Sequence, residues 1–168
     1  MEVYKNVLSP ETLQRCLMEY ESIKDKEVWT TSSKFWHDNV KKGTYGLITI
    51  ADMSHNLSLL VMEEVKHLLP KEYKGVNFTF QVWDRLSGLG WHNDNVPPFA
   101  ATLYLNDNWD INFGGVFLWK KDKSDREFNA IQPTENMLVL NDKKEWHSVT
   151  PISPTANISR ITIQLWGD

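Results

Sequence analysis

The chain lacks most features that mark secreted, membrane-spanning and nucleic-acid-binding proteins. Its only cysteine is Cys16, so no internal disulfide can form, and a reducing compartment such as the cytoplasm is expected. No apolar run approaches the ~20 residues that cross a bilayer, and the first residues lack the basic and apolar regions of a signal peptide. The net charge of -4 and the lack of a Lys/Arg stripe disfavour nucleic acid as a partner.

The remaining composition is ordinary for a globular protein, with 41% hydrophobic and 24% charged residues. No repeat, low-complexity tract or Gly/Ser linker divides the chain. We therefore predict one domain covering residues 1–168, as a monomer or weak dimer. Eight tryptophans are many for this length. They are typical of core packing, and an aromatic-walled pocket is the alternative.

Two amphipathic helices are predicted in the N-terminal half. Ser9 and Pro10 form a helix start, with the serine as N-cap and the proline in the first helical position. Apolar residues then recur at a spacing of three or four: Leu13, Cys16, Leu17, Tyr20 and Ile23. A second helix is predicted from about Asn56 to Leu69, ended by Pro70. Its predicted buried face comprises Leu57, Leu60, Val61, Val65 and Leu68.

From residue 76 onward, short β-rich runs are separated by turn residues. The predicted strands cover residues 76–83, 99–105, 116–120, 128–131, 137–140, 146–149 and 158–166. Many short strands at this spacing are typical of a sandwich or jelly roll. We therefore predict an α+β fold that is mainly β, an antiparallel double sheet with the two helices packed on one outer face.

Two separated motifs suggest a metal site. Two imidazoles and one carboxylate suit Fe(II), because they leave coordination positions free for a co-substrate and dioxygen. His92 and Asp94 form a His-x-Asp pair that points one way on a strand, and His147 lies far downstream. Gly88 and Gly90 predict a flexible approach to that strand. The pair alone is weak evidence, since it also occurs by chance. The other histidines are interpreted as solvated or structural: His37, His55 and His67.

Arg160 lies on the last predicted strand, where polar and apolar residues alternate. Its face also carries Thr162 and Gln164. A buried arginine is costly unless an anion pairs with it, so the guanidinium is a candidate for binding a carboxylate through two hydrogen bonds. A solvent-facing polar strand explains the same pattern equally well. Tyr104 and the pair Gly114-Gly115 precede Arg160, on or beside earlier strands.

Taken in order, these motifs resemble the 2-oxoglutarate- and Fe(II)-dependent oxygenases, in particular the prolyl 4-hydroxylase branch. The nearest likeness is to the catalytic domain of the hypoxia-inducible-factor prolyl hydroxylases. The shared string runs from about residue 82 to the end of the chain. Its parts are His92-x-Asp94, the Tyr-Leu-Asn-x-x-Trp-Asp segment 104–110, Gly114-Gly115, a turn with Pro133, the His-x-Val-x-Pro segment 147–151, and Arg160 followed by Trp166.

The resemblance implies a double-stranded β-helix with supporting N-terminal helices, and it implies Fe(II) and 2-oxoglutarate as cofactors, with ascorbate as a candidate addition. The implied iron ligands are His92, Asp94 and His147. The implied 2-oxoglutarate residues are Arg160 and Tyr104, with Thr162 and Thr102 as weaker candidates. The polar segment 32–46 corresponds to a mobile loop over the substrate, and Trp166 to the substrate side of the site. The chain departs from the pattern at Trp83, where the relatives have tyrosine, and at Gln164, where they have threonine.

The implied reaction is hydroxylation of a C–H bond, of a prolyl residue in a peptide or protein, with release of succinate and CO2. A free amino acid or another small molecule is the alternative substrate. Two other classes of protein share such a fold. One is a cupin-like metal protein that uses zinc or manganese for different chemistry, and the other is a binding or structural jelly roll whose histidines bind no metal.

Overall fold

The computed structural model describes residues 1–94 and 98–168, apart from the side chain of Asn39. Short strands dominate this part of the chain, together with a few helices. The strands are β1 Glu2–Lys5, β2 Thr30–Thr31, β3 Thr44–Tyr45, β4 Ile48–Asp52, β5 Val76–Trp83, β6 Gly88–His92, β7 Phe99–Tyr104, β8 Phe117–Lys120, β9 Asn129–Ile131, β10 Met137–Asn141, β11 Trp146–Val149 and β12 Arg160–Gly167. The α-helices are α1 Pro10–Ile23, α2 Asp38–Lys41 and α3 His55–Val65, and single 3-10 turns cover Ser32–Lys34, Lys66–Leu68 and Ile111–Phe113.

The strands form two sheets. The larger has seven strands in the order β1-β10-β7-β12-β5-β4-β2, and the smaller has five in the order β3-β6-β11-β8-β9. Neighbouring strands run antiparallel in both sheets. This arrangement confirms the predicted jelly roll with its double sheet.

Both long helices cover the outer face of the larger sheet. The hydroxyl of Ser9 caps α1 by accepting a hydrogen bond from the backbone N–H of Thr12, at 3.2 Å. Buried residues of α1, α3 and the sheet pack there into one apolar core, which includes Cys16, Leu57, Val61, Val65, Phe80, Leu103, Leu138 and Ile163. The helices therefore pack as predicted. In the two described ranges, no helix is long and apolar enough to cross a membrane.

The prediction that Leu60 lies on the buried face of α3 is wrong. Leu60 is 39% exposed, whereas Leu57, Val61 and Val65 are buried. These three residues recur every four positions and form a narrow stripe, and Leu60 lies at the edge of that stripe, towards solvent.

Gly88 and Gly90 lie within strand β6, so the predicted flexible approach is wrong. A Cβ atom at Gly88 would lie 2.6 Å from the ring of Tyr45 on the neighbouring strand β3. The glycine is therefore required by close packing of the two strands, which is a recognised reason for glycine inside a sheet. Since β6 ends at His92, this packing also fixes the strand that carries the His-x-Asp pair.

Candidate active site

The three predicted metal ligands converge between the two sheets. His92 ends β6, Asp94 lies two residues beyond it, and His147 lies directly opposite His92 on the neighbouring strand β11. Asp94 Oδ1 is 3.8 Å from His92 Nε2, and Asp94 Oδ2 is 3.4 Å from His147 Nε2. One donor atom from each residue can be chosen so that all three lie within 4.8 Å of one another. This is the spacing of groups that can share one metal ion.

Backbone carbonyls orient both imidazoles. The Nδ1 atom of His92 lies 2.9 Å from the carbonyl oxygen of Gly90, and that of His147 lies 3.0 Å from the carbonyl oxygen of Glu145. An N–H at each Nδ1 therefore donates to a carbonyl, which leaves the lone pair on Nε2 free for a metal. The ring of Phe117 stacks on one face of the His147 imidazole, with the two ring centres 5.5 Å apart, and so restricts the orientation of the imidazole.

Burial keeps the metal-free histidines neutral. It lowers the pKa of His92 to about 4, with His147 adding to the effect, and lowers the pKa of His147 to about 4. Burial also raises the pKa of the Asp94 carboxyl, because its ionised form loses water. At neutral pH the imidazoles thus need no deprotonation before they bind a cation. A bound cation would also offset the free-energy cost of burying the ionised Asp94 carboxylate.

Arg160 is buried, with 1% of its surface exposed, so the solvent-facing interpretation of its strand is wrong. Thr162 and Gln164 share its face and are also buried. The guanidinium lies 4.7 Å from the ring centre of Trp83 and donates one hydrogen bond of 3.2 Å from Nη2 to the hydroxyl oxygen of Tyr104. Tyr104 is itself fully enclosed behind the arginine. The two predicted carboxylate-binding residues are therefore in contact with each other.

Gly115 makes room for this arginine. Its φ of +64° is a conformation that other residues rarely adopt, and a Cβ atom there would lie 3.2 Å from Arg160 Cδ. The Gly-Gly pair of the sequence motif thus shapes the wall of the site.

Several buried polar atoms around Arg160 lack a hydrogen-bond partner within the described residues. They are Arg160 Nε, Arg160 Nη1, Trp83 Nε1 and Thr162 Oγ1. Buried polar groups are normally paired, and an unpaired guanidinium is particularly costly. A dicarboxylate bound here would accept the hydrogen bonds that these donors cannot make within the protein, so the residues fit 2-oxoglutarate.

One cavity of about 810 Å³ joins Arg160 to the three candidate ligands. Thr102 and Trp166 also line this cavity. The hydroxyl of Thr102 donates a hydrogen bond of 2.8 Å to Gln164 Oε1. Four residues of the polar segment 32–46 form part of the cavity wall: Phe35, Trp36, His37 and Val40. The sequence interpretation did not single out Gln81, whose inward position follows from its pairing with Thr162 across β5 and β12.

Residues 77–167, more than half of the chain, match the sequence profile of the 2OG-Fe(II) oxygenase superfamily. The chain belongs to this superfamily. Members use Fe(II) and 2-oxoglutarate, so this oxygenase is a metal-binding oxidoreductase, as predicted. The matched range contains the three candidate ligands and Arg160.

Solved structures with the same fold cover nearly the whole oxygenase. A Trichoplax adhaerens prolyl hydroxylase, in complex with a hypoxia-inducible-factor peptide fragment, has a TM-score of 0.75 and 18% identity over 99% of this chain and 82% of its own. A Pseudomonas putida prolyl-4-hydroxylase has a TM-score of 0.70 and 13% identity, covering 99% and 90%. OsALKBH1 has a TM-score of 0.69 and 9% identity, covering 99% and 97%. No curated protein matches the sequence. At these identities the structural likeness establishes the fold alone.

Proposed function

We propose that residues 1–168 act as one oxygenase domain that hydroxylates a prolyl residue in a peptide or protein. In this proposal His92, Asp94 and His147 hold Fe(II). Arg160 holds the distal carboxylate of 2-oxoglutarate, helped by Tyr104, with Thr162 and Thr102 as further polar contacts. The observation that carries it is the single cavity in which three convergent ligands face a buried arginine with two unpaired nitrogen atoms.

When bound, Fe(II) and 2-oxoglutarate would activate dioxygen, which is the oxidant for C–H hydroxylation; one oxygen atom would enter the hydroxylated product and the other succinate, with release of CO2. The protein's own contribution is orientation and exclusion of water. Arg160 would fix the far end of the co-substrate, so that its other end points to the two imidazoles and the carboxylate. Trp36, Trp83 and Phe117 supply apolar walls that keep water away from that end of the cavity.

A peptide substrate is supported by the fold and by the size of the cavity. The Trichoplax adhaerens relative binds a peptide fragment, and the Pseudomonas putida relative is a prolyl-4-hydroxylase. In this chain the cavity continues from the candidate ligands to Trp166 and Asp168, well beyond the residues assigned to the co-substrate. A free amino acid would fill only part of that space.

Anaerobic titration with Fe(II) and then 2-oxoglutarate tests the proposal. The chelate is expected to give its weak visible charge-transfer band, and His147→Ala is expected to lose it. Succinate formation with prolyl peptides, with and without ascorbate, then tests the substrate. Iron binding without the band would favour the cupin-like alternative, and no metal binding would leave only a shared fold.

Trp83→Phe is expected to lower the affinity for 2-oxoglutarate by at least about tenfold, because a hydrogen bond to a charged group contributes about 1.5–3 kcal/mol. The buried Trp83 Nε1 has no partner in the described part of the chain, and the ring stacks on Arg160. Phenylalanine keeps an aromatic ring and removes this donor together with part of the ring volume, a loss that the Trp29→Phe control shares. Calorimetry of 2-oxoglutarate binding to the Fe(II) protein measures the change.

The matched control is Trp29→Phe on the helical side of the larger sheet, where the indole N–H donates to the carbonyl oxygen of Ile23 at 2.8 Å. That variant should lose some stability and keep its affinity for 2-oxoglutarate. Equal affinities of the Trp83 variant and the parent protein would remove Trp83 from the co-substrate site.

Substrate binding is expected to slow trypsin cleavage within residues 32–46 several-fold. Lys34 and Lys42 are exposed in this segment, and its residues Trp36 and Val40 line the cavity. A bound peptide would hold the segment down through these contacts, so that the protease meets the open form less often. Cleavage after the exposed Lys66 serves as the internal control. Unchanged cutting within the segment would argue against its role as a lid.

A further inference from the structure

The inner face of the larger sheet carries a continuous polar track. On β5 and β12, inward residues pair in four successive rows: Trp83 with Arg160, Gln81 with Thr162, Thr79 with Gln164, and Asn77 with Trp166. On the next strand, β4, Asp52 pairs with Thr79. All of these residues line the large cavity. Rows are two residues apart, so the track is roughly 20 Å long.

On β5 and β12, the proposed co-substrate contacts lie in the first two rows of this track, at the Arg160 end. In the second row, opposite Thr162, the side chain of Gln81 is 2% exposed, lines the cavity, and makes no hydrogen bond with any described residue. Thr79 Oγ1 is likewise buried without a partner, and Gln164 uses only its Oε1, as the acceptor from Thr102. Buried amides and hydroxyls are normally paired. These groups are therefore available to hydrogen-bond a second polar ligand.

The outer half of the cavity has a negative charge. Asp52 and Asp168 line it, and in residues 1–94 and 98–168 the only lysine or arginine in the wall is Arg160, at the opposite end. Among the described residues of the wall, His37 is the one histidine that is not a candidate ligand. The exposed carboxylate of Asp52 makes no ion pair or hydrogen bond within the described chain. With Arg160 neutralised by the co-substrate, the remaining field attracts a cation.

The surrounding side chains also suit a cation. Trp166 and Phe35 line the same cavity and offer aromatic faces, which attract ammonium and guanidinium groups. The amide oxygen of Gln81 is a suitable acceptor for their N–H groups.

We propose that the substrate carries a guanidinium or ammonium group, which binds in the outer half of the cavity against Asp52, with Gln81 and Thr79 as polar partners. This inference rests on the proposed function, since it names the class of substrate for the same site.

A basic residue of a peptide fits better than a free cationic amino acid. A second cavity, of about 330 Å³, adjoins the first and shares Asp52 and Asn77 with it. It continues towards His55 and Ser58 at the start of α3. The groove therefore extends past the proposed cation site on the side away from Arg160, as an extended chain requires.

Arginine and citrulline provide matched probes, because they have nearly the same shape and differ in charge. Blocked prolyl peptides with arginine or citrulline scanned through the positions around the proline, and free arginine and citrulline, are titrated into the protein with Fe(II) and 2-oxoglutarate under anaerobic conditions. Calorimetry measures affinity, and succinate formation in air measures turnover. For at least one position, the arginine peptide should bind about fivefold more tightly than its citrulline twin at low salt.

Asp52→Asn is expected to remove this preference, leaving the twin peptides with equal affinity. Asp25→Asn, which neutralises an exposed carboxylate just after α1, should leave the preference unchanged. A preference shown only by the free amino acids would identify a small cationic substrate in place of a peptide. A preference for arginine that Asp52→Asn removes would support the cation site, whether peptides or only the free amino acids show it.

Equal binding of every arginine and citrulline pair, including no binding by any of them, would overturn the inference. A preference that survives in Asp52→Asn would equally remove Asp52 from the site. The charge-transfer band separates this failure from failure of the proposed function. If the arginine preference is absent but the band forms in both the parent and Asp52→Asn proteins, only the cation site is wrong. If the band is absent from the parent protein, the proposed function and the cation site are both overturned.

Discussion

Asp94→Ala is expected to abolish Fe(II) binding and turnover while the protein remains folded. Asp94 is the one carboxylate among the three convergent side chains, and it is the only ligand that would offset the charge of the ion. Two neutral imidazoles alone bind Fe(II) weakly, because Fe(II) lies low in the Irving–Williams order and the pair supplies no negative charge. Metal analysis after gel filtration and the 2-oxoglutarate charge-transfer band both measure the loss.

The same variant should separate ligation from folding. The Asp94 carboxylate is desolvated without a metal, so its removal should leave the melting temperature of the metal-free protein unchanged or slightly higher. In the parent protein, saturating Fe(II) should raise the melting temperature by about 5–10 °C, and the variant should lose this rise. Asp25→Ala is the matched control and should keep it. Full iron occupancy in Asp94→Ala would contradict the assignment of the ligands.

Arg160→Ala is expected to raise the concentration of 2-oxoglutarate needed for half-maximal turnover by well over tenfold. The guanidinium has two unpaired nitrogen atoms in the wall of the cavity, and each charged hydrogen bond lost contributes about 1.5–3 kcal/mol. Iron binding should be unaffected, because the two candidate histidine ligands lie on the opposite sheet and Asp94 lies just beyond its strand β6. Calorimetry under anaerobic conditions measures the loss of affinity directly.

Arg160→Met tests whether the arginine serves the ligand or the fold. An unpaired buried charge destabilises a protein, and an apolar side chain of similar length can replace it with little loss or even a gain in stability. We therefore expect a free energy of unfolding at least equal to that of the parent, combined with the weakened binding. Arg85→Met, at an exposed position, is the control. Loss of stability with unchanged 2-oxoglutarate affinity would make Arg160 a structural residue.

The features that sequence patterns predicted correctly are those with a strong local signal. The alternation along β12 placed Arg160, Thr162 and Gln164 on one face, although it left open whether that face met water or a cavity. The Ser9-Pro10 start of α1 is a local signal that the structure confirms. Strands β5 and β11 have the predicted bounds, because turn residues flank both.

The features that were missed depend on pairing between distant parts of the chain. Strand β1 is four residues long and exists because it pairs with β10 at the edge of the larger sheet. Gln81 alternates with apolar residues along β5, as Asn77 and Thr79 do, and its place in the cavity wall follows only from its position opposite Thr162. Residues 95–97, which directly follow Asp94, lie outside the described residues.

The direct pairing of His92 with His147 has a consequence for folding kinetics. The two residues face each other across antiparallel strands that are distant in the sequence, and the register shifts just beyond them. A slip of one residue in either strand would turn its histidine to the outer face of the sheet. The two imidazoles therefore come together only after slow long-range pairing is complete. Stopped-flow refolding in the presence of metal should then show ion uptake in the last phase. The metal would therefore bind only to molecules in which β6 and β11 have paired in the correct register.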